Sequence, residues 1–247
     1  MSARYISSIE FDNDLDKSSY LNDLAAVKYL SEKGKLDFGS NVTFFVGENG
    51  TGKSTLLEAI AVAYGFNAEG GTRNFSFSTN NTHSGLYSHL KLISREFPKD
   101  GFFLRAESLY NVATHIEEID RQAARSRLVI ESYGGVSLHC QSHGESFLSI
   151  IQNRFSGKGL YMLDEPEAAL SPMRLLTLMA ELDSLVKKDS QFIIATHSPI
   201  LMAFPNADIL EFSEDGINKV SYKDTQHYLI TKQFINAPEK MLHYLLN

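Results

Sequence analysis

Nine consecutive residues have the spacing of a phosphate-binding loop, G-x-x-x-x-G-K-S/T. In such a loop, glycines let the backbone turn successive N–H groups toward an anion. The lysine side chain reaches the β- and γ-phosphates, and the hydroxyl that follows it ligates Mg²⁺. The pattern predicts binding of a nucleoside triphosphate, with these roles for Lys53 and Ser54. The nine residues are Gly47, Glu48, Asn49, Gly50, Thr51, Gly52, Lys53, Ser54 and Thr55.

The sequence on either side of this loop predicts the elements that position it. Residues 42–46 are β-branched and aromatic, and they alternate as in a strand. Residues 55–64 have apolar side chains at helical spacing. A helix that begins at Lys53 would direct its positive N-terminal end at the bound phosphates.

Two adjacent carboxylates, Asp164 and Glu165, follow the apolar run 159–163. At the end of a strand, two consecutive side chains can serve one site in different ways. Asp164 is predicted to hold the Mg²⁺ shell, through water or through Ser54. Glu165 is predicted to be the general base, which accepts a proton from the water that attacks the γ-phosphate.

A second candidate anion site precedes the apolar helical pattern at 147–151. It combines Ser142, Gly144 and Glu145 at the predicted start of that helix. A hydroxyl, free backbone N–H groups and the helix N-terminus would all face the same way. One phosphate group needs only one such cradle. The second cradle therefore predicts that a partner subunit contacts the same nucleotide.

A histidine, His197, follows another buried strand pattern at 191–195. In open parallel sheets, ligands gather at the carboxyl ends of the strands. His197 is therefore predicted to be catalytic, through a hydrogen bond to the γ-phosphate or to the attacking water.

In this order the motifs resemble those of ABC-type ATPases, and in particular the RecF and SMC-like branch with its small stand-alone relatives. The resemblance covers residues 36–212. It implies that the first loop is Walker A, that Ser142 begins the signature motif, and that 160–165 is Walker B. The D-loop would be 167–171 and the switch histidine His197. It also implies ATP and Mg²⁺ as cofactors, ATP hydrolysis, and an ATP-dependent homodimer.

The fold implied by this resemblance is α/β, a P-loop NTPase fold of the ABC-ATPase type. We expect a mainly parallel core sheet, an antiparallel N-terminal β part and a helical lobe that carries the signature motif. Residues 1–247 would be a single domain, with the lobe at about 85–155. The tail is predicted to form two short helices broken at Pro238. Its apolar stripe is interpreted as packing: Leu229, Phe234, Met241, Leu242 and Leu245.

The motifs depart from the family pattern at two points. The signature has His143 where a glycine is usual, and this side chain either tunes nucleotide contact or faces solvent. No glutamine precedes Gln122, so the Q-loop glutamine is missing. Glu107 is predicted to replace it as an oxygen donor near the metal. The alternative is that Glu107 is a carboxylate at the start of a helix.

Composition limits the classes of function. The single cysteine, Cys140, excludes an internal disulfide and suits a reducing cytoplasm. No apolar stretch of about 18 residues is present, so direct membrane insertion is not expected. The net charge of −7 disfavours a broad nucleic-acid-binding surface. The charge does not exclude a local basic patch at Arg121, Arg125 and Arg127, but a solvated helix and loop face is the favoured interpretation of these residues.

Three functions from different classes fit the motifs. The favoured one is a soluble ABC-type ATPase that dimerises around ATP and acts on an effector protein or on nucleic acid, in repair, chromosome maintenance or defence. The second is the nucleotide-binding subunit of a membrane transporter, which the missing glutamine disfavours. The third is a P-loop kinase or nucleotide sensor, which Glu165 disfavours.

Overall fold

The described residues have alternating strands and helices. The computed structural model describes residues 4–12, 15–16, 18–73, 84–122 and 128–246. Its strands are β1 (Ser8–Phe11), β2 (Lys35–Asp37), β3 (Val42–Gly47), β4 (Leu90–Ile93), β5 (Asp100–Arg105), β6 (Gly159–Asp164), β7 (Gln191–Ala195), β8 (Asp208–Ser213) and β9 (Gly216–Val220). Its helices are α1 (Ala25–Lys33), α2 (Lys53–Tyr64), α3 (Leu109–Gln122), α4 (His143–Arg154), α5 (Pro172–Val186), α6 (Pro199–Met202), α7 (Gln226–Asn236) and α8 (Pro238–Leu246).

Six strands form the core sheet, in the order β5-β6-β7-β3-β8-β9. All neighbours are parallel except β8 and β9, which form an antiparallel hairpin. Every residue of β3, β6 and β7 is buried, which explains their continuous apolar character. The register pairs Arg105 with Asp164 and Asp164 with Ala195. The carboxyl ends of β5, β6 and β7 therefore lie side by side.

Helices cover both faces of this sheet. Successive strand residues point to opposite faces, so Phe44 and Phe45 belong to different core clusters. On the Phe45 side the apolar face of α2 packs through Leu56 and Ile60. On the Phe44 side the cluster contains residues of α3, α4 and α5. Burial on both faces holds the sheet edge, and the loops that leave it, in a defined position.

A second sheet lies at the N-terminal part of the chain. It has the order β2-β1-β4, and both pairings are antiparallel. The predicted fold class is therefore confirmed: a mainly parallel core sheet with an antiparallel N-terminal β part. Two of the strands, β4 and β5, fall inside the stretch 85–155 that was assigned to the helical lobe. The helices of that stretch begin only at α3, after β5.

The C-terminal helices differ from the expectation in one respect. The hairpin β8–β9 and the helix break at Pro238 lie where the sequence predicts them. However, neither α7 nor α8 has a buried residue, and Leu229 and Leu245 are exposed. The interpretation of their apolar stripe as packing is wrong, because these side chains do not reach either core cluster. No helix in the described part of the chain is long and apolar enough to cross a membrane.

Candidate nucleotide-binding site

The phosphate loop joins β3 to α2, as the sequence predicts. The backbone conformation requires a glycine at two positions of the loop. Gly47 has φ 132°, and a Cβ at this position would lie 2.2 Å from the carbonyl oxygen of Phe212. Gly52 caps α2 with φ 94°. Residues 48–50 between them are exposed, so their backbone is open to a ligand.

Lys53 is the first residue of α2 and is only 4% exposed. Its Nζ donates a hydrogen bond to the carbonyl oxygen of Glu48 at 2.7 Å. Burial lowers the pKa of Lys53, whereas the nearby carboxylates of Glu165 and Asp164 act to raise it. A cation that has lost most of its water is strongly attracted to an anion placed in the loop.

Asp164 and Ser54 face each other between β6 and α2. Asp164 is 5% exposed, and its carboxylate accepts a hydrogen bond from Ser54. Burial raises the pKa of Asp164 to about 6, while Arg105 and Ser54 act to lower it. Among the described residues, Asp164 Oδ1 has no hydrogen-bond partner.

These two residues fit an Mg²⁺ ion. A buried carboxylate oxygen without a partner is costly unless a cation or its water satisfies it. The adjacent Ser54 hydroxyl supplies a second oxygen ligand of the kind that Mg²⁺ prefers. Within the described ranges no cluster of three His, Cys, Asp or Glu side chains forms a metal site.

Glu165 stands at the turn directly after β6, with φ 48° and ψ 54°. A left-handed conformation costs a residue other than glycine about 1–2 kcal/mol. The Glu165 carboxylate is half-exposed. Its Oε1 lies 3.7 Å from Nε2 of His197. The strained backbone of Glu165 therefore lies next to the position predicted for the water that attacks the γ-phosphate.

His197 is held at two points in the loop after β7. Its backbone N–H donates to the Glu167 carboxylate, which also accepts a 2.8 Å hydrogen bond from Thr196 Oγ1. Its ring Nδ1 lies 3.0 Å from Nε2 of His227 in α7. Burial lowers the pKa of His197, and the Lys53 charge lowers it further. Neither supporting side chain is predicted from the sequence, because the resemblance places Glu167 only in the D-loop and nothing in the spacing connects His227 to His197.

Glu107 reaches the same cleft in a different arrangement from the one expected. Its side chain is 68% exposed and pairs with Arg105. Arg105 also pairs with Glu58 Oε2 at 2.8 Å, and its Nε lies 3.3 Å from Asp164 Oδ2. Arg105 is not among the site residues predicted from the sequence, and it places a positive charge next to the proposed metal carboxylate.

The signature segment forms the start of α4, with Ser142 as its N-cap. Glu145 Oε2 accepts hydrogen bonds from the backbone N of Ser142 at 2.9 Å and from its Oγ at 2.6 Å. Arg174 of α5 then pairs with Glu145 Oε1 at 3.1 Å. The expectation of free backbone N–H groups is wrong for Ser142, because Glu145 closes a capping box on it.

Gly144 is expected to tolerate no side chain. An added Cβ would lie 2.5 Å from Arg174 Nη1 and 2.7 Å from the carbonyl oxygen of Ala169. Since overpacking of this kind costs about 1–3 kcal/mol, Gly144→Ala should lower the free energy of unfolding by that amount in a urea titration. Gly85→Ala is the matched control, because an added Cβ there meets nothing within 4 Å. Equal stability of the two variants would contradict the close approach of α4 and α5.

Two clefts border the site. The smaller, of about 320 Å³, is lined by Ser54, Glu107, His143 and Glu165 among others. His143 is exposed and lines the same cleft as Ser54 and Glu165 of its own chain. The larger, of about 930 Å³, lies along the phosphate loop and is also lined by Gln226 at the start of α7. Both volumes are in the usual range of ligand sites.

The predicted basic patch falls only partly within the described residues. Arg121 lies at the end of α3 and pairs with Glu117 at 3.1 Å. Arg125 and Arg127 lie outside the described residues.

Comparison with known proteins agrees with the geometry. The chain resembles the solved structure of CbiO1 from Clostridium perfringens, part of the ABC transporter complex cbiONQ, with a TM-score of 0.53 and 18% identity. That alignment covers 99% of this chain and 100% of the other. The chain has an ABC-type ATPase fold. The SMC head domain from Thermotoga maritima aligns over 88% of this chain and 99% of its own, with 16% identity and a TM-score of 0.45.

Two families of AAA domains match parts of this chain. The first, an AAA domain, matches residues 24–127, which include the phosphate loop. The second matches residues 144–203, and its description names an AAA domain, the AbiEii toxin and a type IV TA system. A 43-residue stretch is 51% identical to the structural maintenance of chromosomes protein 6 of Takifugu rubripes, covering 17% of this chain and 4% of that protein. The predicted resemblance to ABC- and SMC-like P-loop ATPases is confirmed.

Proposed function

We propose that this chain binds ATP with Mg²⁺ and hydrolyses it. The observation that carries the proposal is the meeting of five side chains at the carboxyl edge of the core sheet. Lys53 is buried in the phosphate loop, and Asp164 faces Ser54 across the end of β6. Glu165 and His197 then approach each other, with 3.7 Å between Oε1 and Nε2. This set contains a cation that can bind phosphate, oxygen ligands for a metal ion and a base that can accept a proton from water.

Each side chain has a separate role in this proposal. The loop N–H groups and Lys53 bind the β- and γ-phosphates. Ser54 and Asp164 hold Mg²⁺, which supplies positive charge to the phosphate oxygens when it is bound. Glu165 accepts the proton of the attacking water, and His197 orients that water or the γ-phosphate. Glu107 is a more distant candidate in the metal shell, because its carboxylate already pairs with Arg105.

We further propose that two copies of the chain join head to tail around ATP. Each chain has one phosphate loop and one signature cradle, built from Ser142, Gly144 and Glu145. In a two-fold dimer, the loop of one chain and the cradle of the other would enclose each nucleotide, which creates two equivalent sites. Ser142, Glu145 and Arg174 form a polar cluster at the start of α4 that is open to such a partner.

The ATP cycle is proposed to drive an effector protein or to act on nucleic acid, in the cytoplasm. The description of the second family, which names a toxin of a TA system, supports a role in defence. The short match to a chromosome-maintenance protein supports the nucleic-acid alternative. Hydrolysis measured with and without duplex DNA separates the two, because only the nucleic-acid role predicts stimulation.

Phosphate release from Mg²⁺·ATP by the purified chain tests the proposed activity. Release should stop when EDTA removes the metal. Lys53→Ala should weaken ATP binding about 10- to 100-fold, since a hydrogen bond to a charged group contributes about 1.5–3 kcal/mol. Lys33→Ala, at an exposed lysine paired with Glu32, is the control and should bind ATP as wild type does. Metal-independent release, or equal affinity in both variants, would contradict the proposal.

A further inference from the structure

His227 is placed beside His197 by a firmly anchored helix start. Thr225 is fully buried, and its Oγ1 accepts the backbone N–H of Tyr228 at 3.3 Å as the N-cap of α7. The backbone N–H of Gln226 donates to Glu211 Oε1 in β8 at 3.1 Å. His227 follows directly, and its ring lies 5.1 Å from that of His197 at an angle of 61°. The first turn of α7 is therefore tied to the sheet edge that carries the site.

The two rings share one hydrogen bond, 3.0 Å long, between His197 Nδ1 and His227 Nε2. One nitrogen must donate and the other accept, so the accepting ring must be neutral. Burial lowers the pKa of both histidines, which favours the neutral forms. Two tautomeric arrangements satisfy this bond, and they differ in what His197 presents at its other nitrogen.

The surroundings of His197 Nε2 select one arrangement. This nitrogen is buried, and it has no hydrogen-bond partner among the described residues. It lies 3.7 Å from the Glu165 carboxylate oxygen. If His197 donated from Nδ1, a lone pair on Nε2 would face that carboxylate, which is repulsive. If His227 donates instead, His197 carries its proton on Nε2 and presents a donor to the site.

We infer that His227 is a positioning residue that holds the His197 ring, with its Nε2–H directed into the nucleotide site. The inference rests on the proposed ATP hydrolysis and extends it. Glu167 fixes the backbone of His197, whereas His227 fixes the orientation and tautomer of the ring. A donor on Nε2 suits an acceptor such as a γ-phosphate oxygen or the attacking water.

Substitution of His227 separates this role from simple packing. His227→Ala should lower kcat about tenfold with ATP affinity unchanged, since one orienting hydrogen bond is lost. His227→Gln should restore most of the activity, because its amide nitrogen reaches the position of Nε2. His227→Asn should not, because its shorter amide reaches only the position of Nδ1. Gln233→Ala, at an exposed residue of the same helix, is the control.

Two further measurements make the result decisive. If His227 acts through His197, the double variant His197→Ala/His227→Ala should be no slower than His197→Ala alone. In ¹⁵N spectra of the full chain, His197 should be protonated at Nε2, and this preference should be lost in His227→Ala.

The possible outcomes separate the role of His227 from the proposed ATP hydrolysis on which that role depends. A wild-type chain without ATP hydrolysis would overturn the proposed function. An active wild type with undiminished kcat in His227→Ala would overturn only the role of His227. Equal loss in the Gln and Asn variants, or additive losses in the double variant, would also overturn it, because both would indicate a general effect on packing.

Discussion

Replacing Glu165 by glutamine is expected to lower ATP hydrolysis about 10²- to 10⁴-fold, the usual contribution of a general base. Glutamine keeps the shape of the side chain but has no basic oxygen. Glu165 directly follows the proposed metal ligand Asp164 and lies 3.7 Å from His197 Nε2, so the carboxylate is well placed for the attacking water. ATP binding should be retained, since the Lys53 loop is untouched. Single-turnover phosphate release and nucleotide titration measure the two properties separately.

A matched control distinguishes loss of the base from loss of charge in general. Glu239→Gln makes the same change at an exposed position of α8 and should hydrolyse ATP at the wild-type rate. Wild-type turnover in Glu165→Gln would exclude this residue as the base. Loss of ATP binding together with hydrolysis would instead assign Glu165 to nucleotide binding.

Two inactive variants are expected to regain activity when they are mixed. Lys53→Ala lacks a working phosphate loop, and Ser142→Arg places bulk and charge in the signature cradle next to Arg174. In a mixed head-to-tail dimer, one of the two composite sites combines an intact loop with an intact cradle. Random mixing makes half of the dimers mixed, so activity should recover to about a quarter of the wild-type value.

Sedimentation tests the assembly on which this recovery depends. Glu165→Gln should change from monomer to dimer when ATP and Mg²⁺ are added, because it binds nucleotide without cleaving it. Adding Ser142→Arg to that variant should block the change. A monomer with ATP bound, together with an inactive mixture, would show that the segment at Ser142 is an ordinary capped helix start, as its closed capping box with Glu145 already allows.

Local sequence patterns predicted the backbone of the candidate site, and the family resemblance carried by these motifs implied the fold class. The glycine spacing of the phosphate loop reflects backbone geometry within a few residues, and Gly47 shows the close contact with Phe212 that requires a glycine. The apolar runs that end at Asp164 and Ala195 predict buried parallel strands, and such strands align their carboxyl ends. Patterns of this kind depend on neighbours along the chain.

Side-chain contacts between distant segments could be decided only by the tertiary structure. His197 and His227 are separated by a helix and a hairpin, and no periodicity relates them. The same holds for Arg105, whose charge is shared among carboxylates from three different segments. The exposed apolar side chains of α7 and α8 show the same dependence on tertiary structure. An amphipathic pattern shows that a helix has an apolar face, but whether a core covers that face depends on where the helix lies.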